Sequence, residues 1–154
     1  WYSERKKILE TKATKISTMQ GDPENRFYHY KIKAGTFAMP ENISLLHGSG
    51  CTGPLAVQLA YLLGCNPIVL CGFDCKSRNN NTDFYGTNRF HTQNTYINCT
   101  NGLMWIKEEF AKTNTRVINC GDNDILEKHD VQEIVKGIDA KHRKPREYFV
   151  QFLR

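Results

Sequence analysis

The stretch His47-Gly48-Ser49-Gly50-Cys51-Thr52-Gly53-Pro54 constrains this chain more than any other, together with the apolar run Leu55 to Leu63 and the segment Pro67-Ile68-Val69-Leu70-Cys71-Gly72-Phe73-Asp74. It reads as a glycine-rich turn, a helix, a tight corner at Gly64, and a buried strand ending in a carboxylate. Pro54 suits the first helical position, where its missing N–H has no partner to lose and its φ is already helical. Small residues ahead of it let the backbone N–H groups of the turn point outward. A helix N-terminus with free N–H groups and the positive end of the macrodipole attracts anions. A phosphate or a carboxylate is expected there.

The flanking chain alternates strand and helix signals. Thr14 to Thr18 reads as a short strand, Phe27 to Ile32 as an aromatic-rich one, and Ile43 to Leu46 as an extended approach to the glycine turn. Ala34 to Asn42 is irregular, with Pro40 barring a helix. In the helix, Leu55, Leu59, Leu62 and Leu63 form one stripe, and so apolar a helix is expected to be buried on most sides. Ile68 to Cys71 is continuously apolar, the pattern of a parallel strand covered on both faces. Residues 76–98 are polar and Asn-rich, and so long a connection favours a binding or active-site loop. Cys99 to Lys112 reads as an amphipathic helix with Leu103, Ile106 and Phe110 inward. Arg116 to Cys120 is the next strand and Gly121 a turn. Asp130 to Ile138 is a last helix with Ile134, Val135 and Ile138 inward. The expected fold is one α/β domain over 1–154, Rossmann-like, with a mostly parallel sheet and helices on both faces. Ligands of such sheets bind beyond the carboxyl ends of the strands, which puts the 48–53 turn, Asp74 and the 76–98 loop on one rim.

Charge and cysteine content narrow the partners. The net charge of +5 is uneven: residues 1–33 carry eight Lys/Arg against four Asp/Glu, and residues 141–154 five against one, so the middle is net negative. That is not the continuous basic stripe of a nucleic-acid groove. No apolar run has the length of a membrane span, and the opening residues do not form a signal peptide. The cysteines at 51, 65, 71, 75, 99 and 120 read as small buried hydrophobes in a reducing compartment. Cys71 and Cys75 lack a second pair with zinc-like spacing, so no metal site is expected. The sequons at Asn42, Asn80 and Asn98 are accidents of an Asn-rich chain. The apolar end of the basic tail, 148–153, is expected to dock on the body, on a second copy or on a partner chain.

On the rim, Gly48-x-Gly50-x-x-Gly53 matches a dinucleotide fingerprint by letter, with Asp74 downstream to hold a ribose hydroxyl. The alternative is that the glycines only permit close helix–strand packing. Asp74 either accepts from a ligand or caps its own loop. Ser49 and Thr52 donate to an anion or cap the helix. The loop adds Asp83, Tyr85, Arg89 and His91, and His91 is the best-placed general base by its ordinary pKa. His47 contacts an anion or simply ends a strand, and His29, His129 and His142 are surface or core residues.

Residues Gly48 to Asp74 resemble the core of the MptE-like (hydroxymethylpterin diphosphokinase-like) proteins, phage-encoded members especially, and share a pattern of small-Ser-Gly, helix, Leu-Gly, strand and Gly-aromatic-Asp with bacterial sialyltransferases. Thr82-Asp83-Phe84-Tyr85-Gly86 is similar to a Thr-His-aromatic-x-Gly segment, with Asp83 where a His is usual. The similarity spans about residues 43–126. It implies a nucleotide-binding fold that transfers a glycosyl or phosphoryl group from a nucleotide-activated donor in the cytoplasm of a prokaryotic or phage-infected cell. On that reading Ser49, Gly50 and Thr52 meet the donor's anionic part. The other binding residues are His47, Gly48, Cys51, Gly53, Gly72, Phe73, Asp83, Tyr85 and Arg89, and His91 and Asp74 are catalytic. The turn would neutralise the departing phosphate while His91 deprotonates an acceptor hydroxyl. The implied ligand is a nucleotide or nucleotide sugar, with no firm cofactor. Family members open with a Gly-rich strand–loop and an Asp followed by a Trp pair, whereas this chain opens at Trp1-Tyr2, about where that pair would sit. The resemblance then implies that the chain is a fragment, or that another chain completes the site, or that catalysis is lost and only binding or structure remains. The rival readings are a non-catalytic nucleotide-binding or assembly module and a nicotinamide oxidoreductase.

Overall fold

The computed structural model describes residues 16–17, 28–29, 31–42, 44–48, 51–76 and 93–137. Among them the strands are β1 (Ile16–Ser17), β2 (Tyr28–His29), β3 (Lys31–Ala34), β4 (Leu45–Gly48), β5 (Ile68–Leu70) and β6 (Val117–Asn119), and the helices are α1 (Thr52–Leu62), α2 (Gln93–Phe110) and α3 (Val131–Gly137). The strands pair as β1 with β2, β3 with β4 and β5 with β6, each pair parallel. The chain is therefore mixed α/β with parallel pairing. Among the described residues these pairs are separate ladders rather than one sheet, and helices join them: α1 packs on β4 and β5, and α2 on α1 and β6.

Helix α1 closes as the sequence requires. Gly64 takes φ +72. Its N–H donates to Tyr61 O at 2.9 Å and the Cys65 N–H to Ala60 O at 2.9 Å, the paired bonds of a Schellman motif, which needs a left-handed residue that glycine supplies without strain. Its start differs from expectation. The helix begins at Thr52, with Cys51 as N-cap, so Pro54 stands third rather than first. The position is tolerated because the first four N–H groups of a helix have no intrahelical acceptor. The buried face also differs. Pro54, Leu55, Val57 and Gln58 are buried, while Leu59, Leu62 and Leu63 are half-buried and Ala56 is exposed. The leucine stripe lies beside the main contact because β4 and α2 press on the helix's first two turns.

The core joins Val57, Ile68, Leu70, Leu103, Ile106 and Phe110. Leu103, Ile106 and Phe110 point inward as their spacing predicts. Trp105 bridges Phe37 and Phe110, stacked on the first at 5.8 Å and edge-on to the second at 5.9 Å between ring centroids. The two helices meet at Gly102, where a Cβ would lie 2.3 Å from Pro54 Cγ.

Other expectations need revising. The helix α2 starts at Gln93, so residues 93–98 are helical rather than loop. Asn and Thr are weak helix formers, but half-buried Thr95, Tyr96, Asn98 and Cys99 let packing override propensity. Strand β5 ends at Leu70, leaving Cys71 exposed. Helix α3 is short, with the Gln132 and Glu133 N–H groups donating to Asp130 Oδ1 at 2.7 and 3.2 Å, the arrangement of an N-cap. It turns Ile134 partly inward and leaves Val135 61% exposed. Ile138, residues 3–13 and the 141–154 tail lie outside the described residues.

Replacing Gly102 with Val is expected to destabilise the protein by about 2–3 kcal/mol, since the Pro54 ring cannot swing away from an added side chain. Thermal or urea unfolding checks this, and an unchanged midpoint would mean that the helices part freely.

Candidate functional site

Strand β4 delivers the chain to the glycine turn, and Gln58 fixes how. This side chain is fully buried. Its Oε1 accepts the His47 N–H at 2.8 Å, and its Nε2 donates to His47 O at 2.5 Å. The N–H and C=O of one strand residue project from the same edge, so the carboxamide takes the place a neighbouring strand's peptide would occupy. Strand β3 pairs with β4 on the other edge, with Lys33 opposite His47. Among the described residues, the first edge of β4 therefore meets the α1 side chain rather than a further strand.

The described end of the glycine turn is the start of α1. Cys51, extended at φ −124 and ψ 123, makes no side-chain capping bond, and the first turn holds no acidic residue. Thr52, read as a cap or an anion donor, is instead the first helical residue and is exposed. The glycines also serve packing. A Cβ at Gly48 would lie 2.9 Å from Leu55 Cδ2, and one at Gly53 2.6 Å from Phe73 Cε1. Close helix–strand contact thus accounts for both glycines. Ser49 and Gly50, between them, lie outside the described residues, as do Asp83, Tyr85, Arg89 and His91. His47 Nδ1 is buried and has no hydrogen-bond partner among the described residues.

The ends of β5 and β6 form the other side of the rim. The Asp122 N–H donates to Asp74 Oδ1 at 2.8 Å, so Asp74 braces the loop after β6, a long-range role not foreseen for it. Buried Asn119 accepts at Oδ1 from the Gly121 N–H and from Asn123 Nδ2, each at 2.9 Å, and donates to Leu126 O at 3.2 Å. Buried Asn123 donates to Phe73 O at 3.0 Å and accepts the Leu126 N–H at 3.0 Å. Lys76 and Lys128 flank Asp122, each at 3.3 Å. Gly121 sits tightly, since a Cβ there would lie 3.0 Å from the Phe73 backbone nitrogen. Gly72 takes φ +72 on the exposed side. Through Phe73, which covers Gly53, this braced pair of loops touches the start of α1. Sequence reading missed Gln58, Asn119 and Asn123. Their signal was a lone amide in an apolar helix, and asparagines closing an apolar strand.

The cysteines differ from the expected buried hydrophobes: Cys71 is exposed and the other five are half-buried. Three come together although far apart in sequence. Cys51 Sγ lies 2.8 Å from Cys99 Sγ, and Cys75, at φ +55, takes a hydrogen bond from Cys99 that holds its thiol below the usual range, against burial and the charges of Cys51 and Asp74. Cys99 is pushed up to about 11, its bond with Cys51 being outweighed by the one to Cys75 and by burial. Cys51 is pushed up by its bond to Cys99 and by burial, with the Gly53 N–H opposing. No group of three or more His, Cys, Asp or Glu among the described residues is arranged to hold a metal ion, and no helix among them is long and apolar enough to cross a membrane.

Comparison with family models, curated proteins and solved structures gives no match. The site is therefore read from its own chemistry.

Gln58→Leu leaves the His47 N–H and C=O without their partner and is expected to cost about 2–4 kcal/mol. It should also speed amide exchange at His47. Unaltered stability and exchange would show that the carboxamide does not hold the strand.

Proposed function

We propose that this chain is a nucleotide- or nucleotide-sugar-binding domain of a glycosyl- or phosphoryl-transferase type. On this reading it is built on a Rossmann-like framework, in the manner of the MptE-like proteins and bacterial sialyltransferases, with the ligand's anionic part at the 48–53 turn. The observation that carries the reading is the start of α1. It follows directly from a parallel strand, has no side-chain cap and no acid in its first turn, and stands beside a buried His47 nitrogen that has no hydrogen-bond partner among the described residues. Backbone N–H groups and the helix dipole then favour negative charge. His47 adds a donor when protonated at Nδ1, and the exposed Thr52 adds a hydroxyl. In a catalytic version, the turn stabilises the departing phosphate and His91 takes the acceptor's proton.

A non-catalytic binding module is the second reading. Two observations favour it: Asp83 stands where the resembled segment carries His, and Asp74 Oδ1 is engaged by the Asp122 N–H. The two readings share the same ligand and differ in turnover.

A thermal-shift series with cytidine monophosphate, ATP, a cytidine-linked sugar and inorganic phosphate tests the reading. At least one nucleotide is expected to raise the midpoint, with a smaller effect from phosphate alone, because a ligand that binds only the folded state stabilises it by mass action. His47→Leu should keep or raise the unliganded midpoint, since it removes an unsatisfied buried nitrogen, yet weaken the nucleotide shift. Donor hydrolysis lost in His91→Ala would select the enzyme, and a shift without hydrolysis the binding module. No shift with any of these ligands would overturn the proposal.

A further inference from the structure

The thiols of Cys51 and Cys99 meet in a contact that the nucleotide reading does not use. Cys51 is the N-cap of α1, and Cys99 lies in the second turn of α2, 48 positions along the chain. Their sulfurs stand 2.8 Å apart, and both residues are half-buried. Cys51 gives the helix no side-chain cap, so its sulfur serves the contact with α2 rather than the helix start. A thiol is a weak donor and a weak acceptor, and the two helices already meet where Pro54 faces Gly102. Packing therefore does not call for this pair. Two touching thiols with access to small solutes have a covalent use. An S–S bond is about 2.05 Å long, so the sulfurs need to close by less than about 1 Å. Capture of a soft metal would ask for more ligands, and among the described residues no three His, Cys, Asp or Glu side chains are grouped to hold one.

We propose that Cys51 and Cys99 are a reversible disulfide pair, closed by exchange with a small disulfide of the oxidised-glutathione class, whether or not a nucleotide binds. The Cys99 thiol gives its proton to solvent, and its sulfur attacks one sulfur of the small disulfide. That S–S bond breaks, and one small thiolate leaves and takes up a proton. The Cys51 sulfur then attacks the Cys99 sulfur, the mixed S–S bond breaks, and the second small thiol leaves with the proton that Cys51 gives up. In total two protein thiols and one small disulfide become one protein disulfide and two small thiols. The order follows from the contact. The hydrogen bond between the pair favours Cys99 as the thiolate and keeps the proton on Cys51. Once the Cys99 sulfur carries the small thiol it no longer draws that proton, so the chief restraint on Cys51 is gone before its turn comes. Uncatalysed exchange of this kind takes minutes to hours. The bridge ties the N-cap of α1 to α2 beside the contact of Pro54 with Gly102, and it closes a loop over residues 52–98 that restricts the unfolded chain.

The test is peptide mapping of the full chain after incubation in glutathione buffers of rising oxidised fraction, with the remaining thiols alkylated. The expected first bridge is Cys51–Cys99, formed ahead of any involving Cys65, Cys71, Cys75 or Cys120 and reopened by dithiothreitol. The bridged protein is expected to melt at least about 5 °C above the reduced one. Cys51→Ser should stop at a Cys99–glutathione adduct, and Cys75→Ser should close the same bridge as the unaltered chain. A first bridge elsewhere, glutathione adducts at Cys51 or Cys99 that never resolve into a bridge in the unaltered chain, or a midpoint lowered by the bridge would each overturn the proposal. Loss of the bridge in Cys75→Ser, or no adduct at Cys99 in Cys51→Ser, would do the same. Mapping and melting of the unaltered chain need no variant, so the decision stands if a variant fails to fold.

Discussion

The described fold depends on one side chain standing in for a strand. The Gln58 carboxamide meets both backbone groups of His47 in a buried place, where each group would otherwise carry the full cost of desolvation. Because Gln58 belongs to α1 and His47 to β4, the bond pair fixes helix against strand at the point where the chain turns. That choice has a consequence for the sheet. The edge of β4 is spent on the helix, and among the described residues β5 pairs with β6 while the helices carry the contacts among β4, β5 and β6.

A second constraint acts at the other rim. Asn119 and Asn123 satisfy one another and the backbone around them, and Asp74 receives the Asp122 N–H. Polar networks of this kind are stable only when every member is served, and here the described partners form a closed set linking the ends of β5 and β6. Phe73 then reaches from this brace to Gly53, so the start of α1 rests on a stiff support. Gln58 and Phe73 thereby hold the chain on either side of the proposed ligand turn, at His47 and at Gly53. A site preorganised in this way spends less of its binding energy on ordering itself.

Much of this organisation was legible in the residues. Gly64 announced the helix corner, the Ile68-Val69-Leu70 run a parallel strand, and Leu103, Ile106 and Phe110 the buried face of α2. Their signals are local: a left-handed turn needs glycine, and helical spacing sets a face. What escaped was non-local. Gln58 looks like one polar residue in an apolar helix until β4 is beside it, and Asn123 like an ordinary loop residue until the Phe73 carbonyl arrives. The leucine stripe of α1 misled because periodicity shows that a face exists, without showing which part a neighbour covers. The cysteines misled for the same reason, since sequence separation hides that residues 51, 75 and 99 meet. Of the candidate site, the passage from strand to helix across the glycines was readable, as was a packing role for them, while Leu55 and Phe73 as the residues against Gly48 and Gly53 emerged only from the structure.

The central claim is that the start of α1, so supported, holds negative charge. The most direct measurement is a titration of the isotopically labelled protein with cytidine monophosphate, followed through its backbone amide resonances. The account expects saturable shifts centred on the amides from Ser49 to Gly53, with the His47 ring responding and the amides of α3 unmoved. Shifts scattered over the basic surface, or none at the turn while the fold stays intact, would contradict it.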